Sequence, residues 1–117
     1  MWVGFYRPRR KDIALIVVTR IPTHRNDGSM IDVTARRQIL RQVRDVFGGY
    51  SLEGPFQGTW IADDGNVYEE TSYRLEVIIE PGQLQMAREL VIRIGKQLGQ
   101  RAMYFEVREG GEIIDIE

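Results

Sequence analysis

The stretch Ile13-Ala-Leu-Ile-Val-Val-Thr19 decides the fold, because both of its alternating faces are apolar. Successive side chains of a β-strand point to opposite faces of the sheet, so a strand that is apolar on both faces is buried on both. The stretch therefore predicts a strand at the middle of a sheet, with further structure covering each face.

Turn-forming residues follow this strand and predict a loop from Ile21 to Met30. Asp32 can then cap a helix that runs to Phe47, because its side chain can accept hydrogen bonds from the N–H groups of the first turn. Gly48-Gly49 ends this helix. Its apolar residues recur at helical spacing: Ile39, Leu40, Val43, Val46 and Phe47.

The middle of the chain predicts a β-hairpin. After a connection over Tyr50 to Pro55, the strands are Phe56 to Ile61 and Val67 to Glu80, joined by the turn Ala62-Asp-Asp-Gly-Asn66. The longer strand turns one alternating set of residues toward a core: Val67, Thr71, Tyr73, Leu75, Val77 and Ile79. Strict alternation places Glu69 in that inward set as well.

A second amphipathic helix from Leu84 to Leu98 and a strand from Ala102 to Val107 complete the pattern. Gly110-Gly111 then predicts a turn into a short final strand, Glu112 to Ile116. The order indicates an α+β, ferredoxin-like βαββαβ domain, with an antiparallel sheet, two helices on one face and an extra C-terminal β-hairpin. We divide the chain into a basic and aromatic N-terminal arm, residues 1–11, and a single ferredoxin-like domain, residues 12–117.

The sheet face opposite the helices is predicted to be too apolar for exposure to water. Its residues are Ala14, Ile16, Val18, Ile78 and Tyr104. Exposed apolar patches of this kind mark interaction surfaces, so we predict that a second copy of the chain or a ligand covers the face, and a homodimer is the simpler cover.

Composition narrows the functional classes. The 117 residues contain no cysteine, which excludes disulfides and thiolate chemistry. The longest apolar run, Ile13 to Val18, is too short to span a membrane. We therefore expect a cytoplasmic protein with no membrane partner. No phosphate loop, dinucleotide fingerprint or nucleophile elbow is present, so we predict no cofactor, and a non-enzymatic role is favoured.

Several motifs together resemble a family of small bacterial proteins of unknown function with a ferredoxin-like α/β domain. They are Phe47-Gly-Gly-Tyr-Ser, Gly58-Thr-Trp60, Asp64-Gly-Asn-Val-Tyr-Glu-Glu-Thr-Ser72 and Gly99-Gln100. Members share a helix ending in glycines, a Gly-x-Trp strand, a glycine-containing hairpin and a following Glu-x-Ser. The resemblance covers roughly residues 35 to 107; it implies the fold and no activity.

Two residues are weak catalytic candidates. Glu69 is one, because a buried carboxylate often has a raised pKa suited to proton transfer; a β-bulge, or a salt bridge to Arg37 or Arg101, is the structural alternative. His24, the single histidine, is the other, against the alternative of an ordinary surface loop residue. Asp63 and Asp64 join Glu69 and Glu70 in an acidic group, but successive strand residues diverge, so we predict no metal site.

Charge is unevenly distributed along the chain. Residues 1 to 48 hold ten Lys or Arg against four Asp, a net +6, and residues 49 to 117 hold six against thirteen, a net −7. A basic arm and an arginine stripe on the first helix are therefore candidates for binding a protein or nucleic acid, with a solvated helix face as the alternative. The residues are Arg7, Arg9, Arg10, Lys11, Arg37, Arg41 and Arg44.

Four aromatic residues are candidates to line a pocket, although core or dimer packing is the alternative: Trp60, Tyr68, Tyr73 and Tyr104. Our leading hypothesis is a non-enzymatic interaction or oligomerisation module of unknown partner. The alternative is a small dimeric α/β-barrel-like enzyme or ligand-binding protein with a pocket near Glu69, and a metal-dependent nuclease is third.

Overall fold

A computed structural model describes residues 2–3, 14–110, 114 and 116, with the backbone alone for the first pair. Its elements are the strands β1 (Trp2–Val3), β2 (Leu15–Pro22), β3 (Tyr50–Ile61), β4 (Val67–Ile79) and β5 (Phe105–Glu109), the helices α1 (Val33–Phe47) and α2 (Leu84–Gln97), and a 3₁₀ turn (Pro81–Gln83). Arg7, Arg9, Arg10 and Lys11 of the arm, and most of the predicted final hairpin, lie outside the described residues.

The strands form one sheet with the order β1-β3-β4-β2-β5, in which every pairing is antiparallel. β2 lies inside the sheet, with Val17 opposite Val77 on β4 and Val107 on β5. The α+β class, the antiparallel sheet and the two helices are therefore confirmed. β2 also runs to Pro22, past the predicted end at Thr19, because its last residues continue to pair with β4.

α1 begins and ends where its capping residues predict. The Asp32 side chain accepts a hydrogen bond from the Ala35 N–H at 2.7 Å, and Gly48 has φ 88°, a left-handed conformation that glycine adopts without steric cost. Neither helix, within the part of the chain that the structure describes, combines the length and apolarity of a membrane span.

The core lies between the two helices and one face of the sheet. α1 contributes Ile39, Leu40, Val43 and Phe47, and α2 contributes Ala87, Leu90 and Ile94. On the sheet they meet Val17, Ile21, Leu75, Val77 and Ile79. Burying each of these large side chains contributes roughly 1.5–3 kcal/mol relative to leaving it in water, so the helix layer is held by packing.

β3 differs from the prediction, because Tyr50 to Pro55 belongs to the strand instead of preceding it. The register shifts between Glu53, which lies opposite Arg74, and Phe56, which lies opposite Ser72. One extra residue on β3 is accommodated there, as in a β-bulge. Because side chains alternate, the extra residue moves every later side chain of β3 to the other face of the sheet.

The face opposite the helices is less apolar than predicted. Ala14 and Val18 are already buried within one chain, at 2% and 1% exposure. Val18 lies between Glu76 and Glu106 in the register, so charged neighbours flank it instead of further apolar side chains. Of the predicted set only Tyr104 is largely exposed, at 53%. The homodimer predicted to cover this face stays a prediction.

Candidate functional site

A cleft of about 810 Å³ lies on the open face of the sheet, opposite the helices. Phe56 and Trp60 of β3 line one side, and Met103 and Tyr104 line the other. Between them lie the end of β2, with Arg20 and Pro22, and the middle of β4, with Ser72 and Arg74. The cleft is therefore a surface groove with aromatic sides and polar groups along its floor.

The bulge in β3 explains why aromatic rings line this cleft. After the bulge, Phe56, Gly58 and Trp60 lie opposite Ser72, Glu70 and Tyr68, on the open face. Gly58 has no side chain, and an added Cβ would meet no atom within 4 Å. Glycine inside a strand often marks a place where a ligand approaches the backbone. The segment thus presents two aromatic side chains with an open space between them.

Ring contacts order both aromatic side chains. Trp60 stacks on Tyr68 across the hairpin, with ring centroids 4.7 Å apart and an angle of 18° between the planes. The guanidinium of Arg20 lies over the Phe56 ring, 5.7 Å from its centre, which is the geometry of a cation–π contact. Because both rings have fixed neighbours, a ligand would meet a largely preformed surface.

Tyr104 is held on the far side of the cleft by its backbone and its hydroxyl. The Thr19 hydroxyl donates to the Tyr104 carbonyl at 2.6 Å, and the Tyr104 hydroxyl donates to Glu106 at 3.1 Å. The second bond raises the pKa of Tyr104, because the neutral phenol is the form that donates. Arg108 lowers the pKa of Glu106, so this carboxylate stays charged beside the phenol.

A second, more polar cleft of about 570 Å³ lies by the same hairpin and the loop from Thr23 to Met30. His24 and Glu69, the two catalytic candidates, both line it. Glu69 lies opposite Thr59 and on the same face of β4 as the inward residues, as predicted, but its side chain is exposed. Val67, the next residue on the same face toward the turn, is also exposed, at 60%, so the core does not reach this end of the hairpin. This corrects the expectation of a buried carboxylate, and Glu69 pairs with neither Arg37 nor Arg101 among the described residues.

The acidic residues of the hairpin are not arranged around an ion. Asp64 accepts a hydrogen bond from the Asn66 N–H, as expected of a turn, and pairs with Arg101. Glu69 and Glu70 belong to opposite faces of β4. In the described ranges, no group of three or more histidine or acidic side chains could hold a metal ion.

The remaining predicted site residues lie elsewhere. Tyr73 does not line the open-face cleft, because its alternation turns it toward the helices, where Arg36 lies 4.9 Å from its ring centre. Tyr68 lines the polar cleft. Arg37, Arg41 and Arg44 are exposed on α1, on the opposite side of the sheet from the open-face cleft, and Arg44 pairs with Asp45.

Sequence reasoning selected Trp60 and Tyr104 for a pocket but not the other residues that line the open-face cleft, among them Arg20, Phe56, Glu70 and Arg74. The alternation Phe56-Gln-Gly-Thr-Trp60 was the available signal, since it spaces two aromatic residues around a glycine. The face of the sheet on which these two aromatic residues lie could not be predicted, because it depends on the bulge in β3.

No protein-family model matches the chain, and no curated protein matches it. Among solved structures, a phage SAM lyase in complex with S-methyl-5'-thioadenosine aligns with a TM-score of 0.66 and 13% sequence identity, over 92% of this chain and 90% of that one. A phage SAM lyase in the apo state gives 0.64 and 14% over the same shares. CutA from Synechococcus elongatus gives 0.55 and 12%, over 92% of this chain and 80% of that one.

These similarities show the fold, and they correct the leading functional hypothesis. We expected a non-enzymatic interaction module because the sequence carries no catalytic motif. The phage SAM lyase, which has a similar fold over 90% of its length, is an enzyme. The prediction is therefore wrong, and the alternative, a small dimeric α/β-barrel-like enzyme or ligand-binding protein with a pocket near Glu69, is better supported.

Proposed function

We propose that the chain is a small enzyme that binds an adenosyl compound, a thioether or a sulfonium, in the open-face cleft. The observation that carries the proposal is the pair of aromatic side chains, Phe56 and Trp60, on either side of the bare backbone at Gly58. Aromatic walls with a few polar groups are typical of sites for small organic ligands.

The dimensions suit a purine ring. Phe56 and Trp60 are four residues apart on an extended strand, so their Cα atoms are separated by about 13 Å. A bicyclic base can enter the space over Gly58 and stack on the Phe56 ring, with an edge toward Trp60. Ser72 and Gln100 line the same cleft and can exchange hydrogen bonds with a ribose.

The charge of the cleft also suits a sulfonium. Glu70 is the one carboxylate among the residues that line it, and it makes no ion pair with the described residues. Aromatic faces and a carboxylate both attract a positively charged sulfur centre. Glu70 is also placed to accept a proton from a ligand in the cleft, which makes it our candidate for acid–base catalysis.

The solved structures support the same class of ligand. A phage SAM lyase with a similar fold was solved with S-methyl-5'-thioadenosine.

The proposal includes the finer architecture, a ferredoxin-like βαββαβ unit on residues 12–117. A homodimer, a cytoplasmic location and a partner for the basic arm stay predictions.

Calorimetry with S-methyl-5'-thioadenosine tests binding. We expect Phe56→Ala to weaken binding at least about fivefold, in line with the 1–3 kcal/mol of a base–aromatic stack. Ile92→Ala is the matched control, because Ile92 is exposed to the same extent, 44% against 43%, on α2. Equal binding by both variants, or no binding by the unmodified protein, would contradict the proposal.

Incubation with S-adenosylmethionine, followed by chromatography for S-methyl-5'-thioadenosine, tests activity. We expect Glu70→Gln to slow product formation at least about a hundredfold, as for loss of an acid–base group. Glu69→Gln is the control, since Glu69 is the neighbouring residue on the other face of β4. A loss of activity in Glu69→Gln with none in Glu70→Gln would assign the chemistry to the polar cleft instead.

A further inference from the structure

Two arginines lie directly opposite each other at one end of the open-face cleft. Arg20 on β2 is the cross-strand partner of Arg74 on β4, and both line the cleft. Like charges in this position repel, because the Cβ atoms of opposed residues are only about 5 Å apart. Both side chains are partly buried, so water screens the repulsion incompletely.

Among the described residues, the neighbouring carboxylates form an ion pair with only one of these two arginines. Arg74 forms an ion pair with Glu76, and Arg108 forms one with Glu106. Arg20 makes no ion pair or hydrogen bond with any described residue, and its contact is with the Phe56 ring. Glu53 on β3 also lies opposite Arg74, but it is exposed and forms no ion pair with the described residues. Arg20 is therefore the arginine at this end of the cleft that has no carboxylate partner among the described residues.

We propose that Arg20, assisted by Arg74, is the subsite for the α-carboxylate of the ligand's amino-acid portion. This inference rests on the proposed function and specifies its substrate class: an S-adenosyl amino acid instead of a truncated nucleoside. A guanidinium can hold a carboxylate through two parallel hydrogen bonds, which fixes its orientation. An anion between the two arginines would also remove their mutual repulsion.

The register places this subsite at a suitable distance from the base. Glu70, which lies opposite Gly58, is four residues from Arg74 along β4, and Ser72 lies between them on the same face. Four residues of extended strand span about 13 Å. An adenosyl group over Gly58 would then extend its ribose, sulfur and amino-acid chain along the cleft, past Phe56, toward Arg20.

Two ligands that differ in the amino-acid portion test the inference. S-adenosylhomocysteine carries the α-carboxylate, and S-methyl-5'-thioadenosine lacks the whole amino-acid group. We expect the unmodified protein to bind S-adenosylhomocysteine more tightly. Arg20→Met should weaken its binding about tenfold more than it weakens binding of S-methyl-5'-thioadenosine, as for loss of a hydrogen-bonded charge, because the second ligand loses only the ordering of the Phe56 ring. Arg20→Lys should fall between, because it keeps the charge and loses the bidentate geometry.

The outcomes separate this inference from the proposed function. Binding of S-methyl-5'-thioadenosine by Arg20→Met shows that the variant is folded, and Arg37→Met, an exposed change on α1, is the charge-matched control. If the unmodified protein binds both ligands equally and Arg20→Met weakens their binding to the same extent, the carboxylate subsite is refuted while the proposed function stands. Arg20-dependent binding of adenosine monophosphate that is tighter than that of S-adenosylhomocysteine would assign the subsite to phosphate and overturn it. No binding of either ligand refutes both.

Discussion

The Arg101 side chain donates a hydrogen bond to Asp64 Oδ2 at 2.5 Å, joining the turn between β3 and β4 to the segment between α2 and β5. The Arg101 backbone N–H also donates to the Asn26 side chain. Three segments that are distant in sequence therefore meet at one point. The same guanidinium reaches the Tyr68 hydroxyl at 3.4 Å, and Tyr68 stacks on Trp60 of the open-face cleft.

Removing the Asp64 charge should destabilise the hairpin in a pH-dependent way. The hydrogen bond from Arg101 lowers the pKa of Asp64, so the carboxylate form is favoured in the folded state. In the unfolded chain the pKa of an aspartate is near 4, and in the folded protein the pKa of Asp64 is lower. The charged carboxylate therefore stabilises the folded state above the unfolded pKa, and this stabilisation is lost as the pH falls through the folded pKa. We expect Asp64→Asn to lower the melting temperature by a few degrees at pH 7 and by less near pH 3.

Thermal unfolding across this pH range is the measurement. Asp63→Asn is the control, because Asp63 is exposed beside Asp64 and makes no hydrogen bond with the described residues. The difference between the two variants should shrink in high salt, since the pair is exposed to solvent. If the melting temperatures of Asp64→Asn and Asp63→Asn differ by the same amount at pH 3 and at pH 7, the ion pair contributes no pH-dependent stability.

The neutral His24 ring should carry its proton on Nδ1. The Thr23 hydroxyl lies 3.0 Å from the Thr71 carbonyl, to which it donates, and 2.8 Å from His24 Nδ1. A hydroxyl has one hydrogen, so once it is donated to Thr71, Nδ1 must be the donor and Nε2 keeps its lone pair. Nitrogen NMR of the neutral ring reports the tautomer, and the single histidine needs no assignment.

We expect Thr23→Val to abolish the preference for the Nδ1–H form and Thr23→Ser to retain it, because serine keeps the hydroxyl. An Nε2–H ring in the unmodified protein would reverse this assignment. It would then mean that Thr23 donates to the ring instead of to Thr71.

Gly95 on α2 should not tolerate even one added methyl group. A Cβ at this buried position would lie 2.7 Å from Met103 Cγ, far inside ordinary contact. Overpacking costs about 1–3 kcal/mol, and the better helix propensity of alanine recovers up to about 1 kcal/mol. We therefore expect Gly95→Ala to lower the free energy of unfolding by about 1–2 kcal/mol in urea denaturation.

A double-mutant cycle checks the cause. Met103→Ala removes the clashing atom, so Gly95→Ala should cost less in that background than in the unmodified protein. Gly82→Ala is the control, because an added Cβ there meets nothing within 4 Å. Equal costs in both backgrounds would rule out the contact with Met103 as the reason.

Local patterns predicted much of the fold. The doubly apolar run from Ile13 to Thr19 indicated the interior strand, and Asp32 and Gly48 marked the ends of α1. These features depend on alternation, helical spacing and capping, which involve residues close together in the chain. Strand limits were predicted less well: β3 begins at Tyr50 because pairing with β4 continues through a segment that contains Gly54 and Pro55.

The candidate site could not be predicted in the same way. Trp60 and Tyr104 were chosen as aromatic residues, and both line the open-face cleft. Tyr73 was chosen for the same reason, but its side chain packs against the core. Arg20 was not chosen at all, because an arginine that ends an apolar strand has no distinctive pattern. Its position opposite Arg74 exists only once β2 and β4 are paired.

The sequence by itself determined the order of the two helices and four main strands, the α+β class and the absence of cysteine chemistry, since these depend on composition and short-range periodicity. Tertiary structure alone decided the site. One extra residue in β3 turns Phe56 and Trp60 to the open face, and the core ends before Glu69, which is therefore exposed to water. Register and layer boundaries arise from contacts between distant segments, so the side chains that share a cleft are set by pairing instead of by order in the chain.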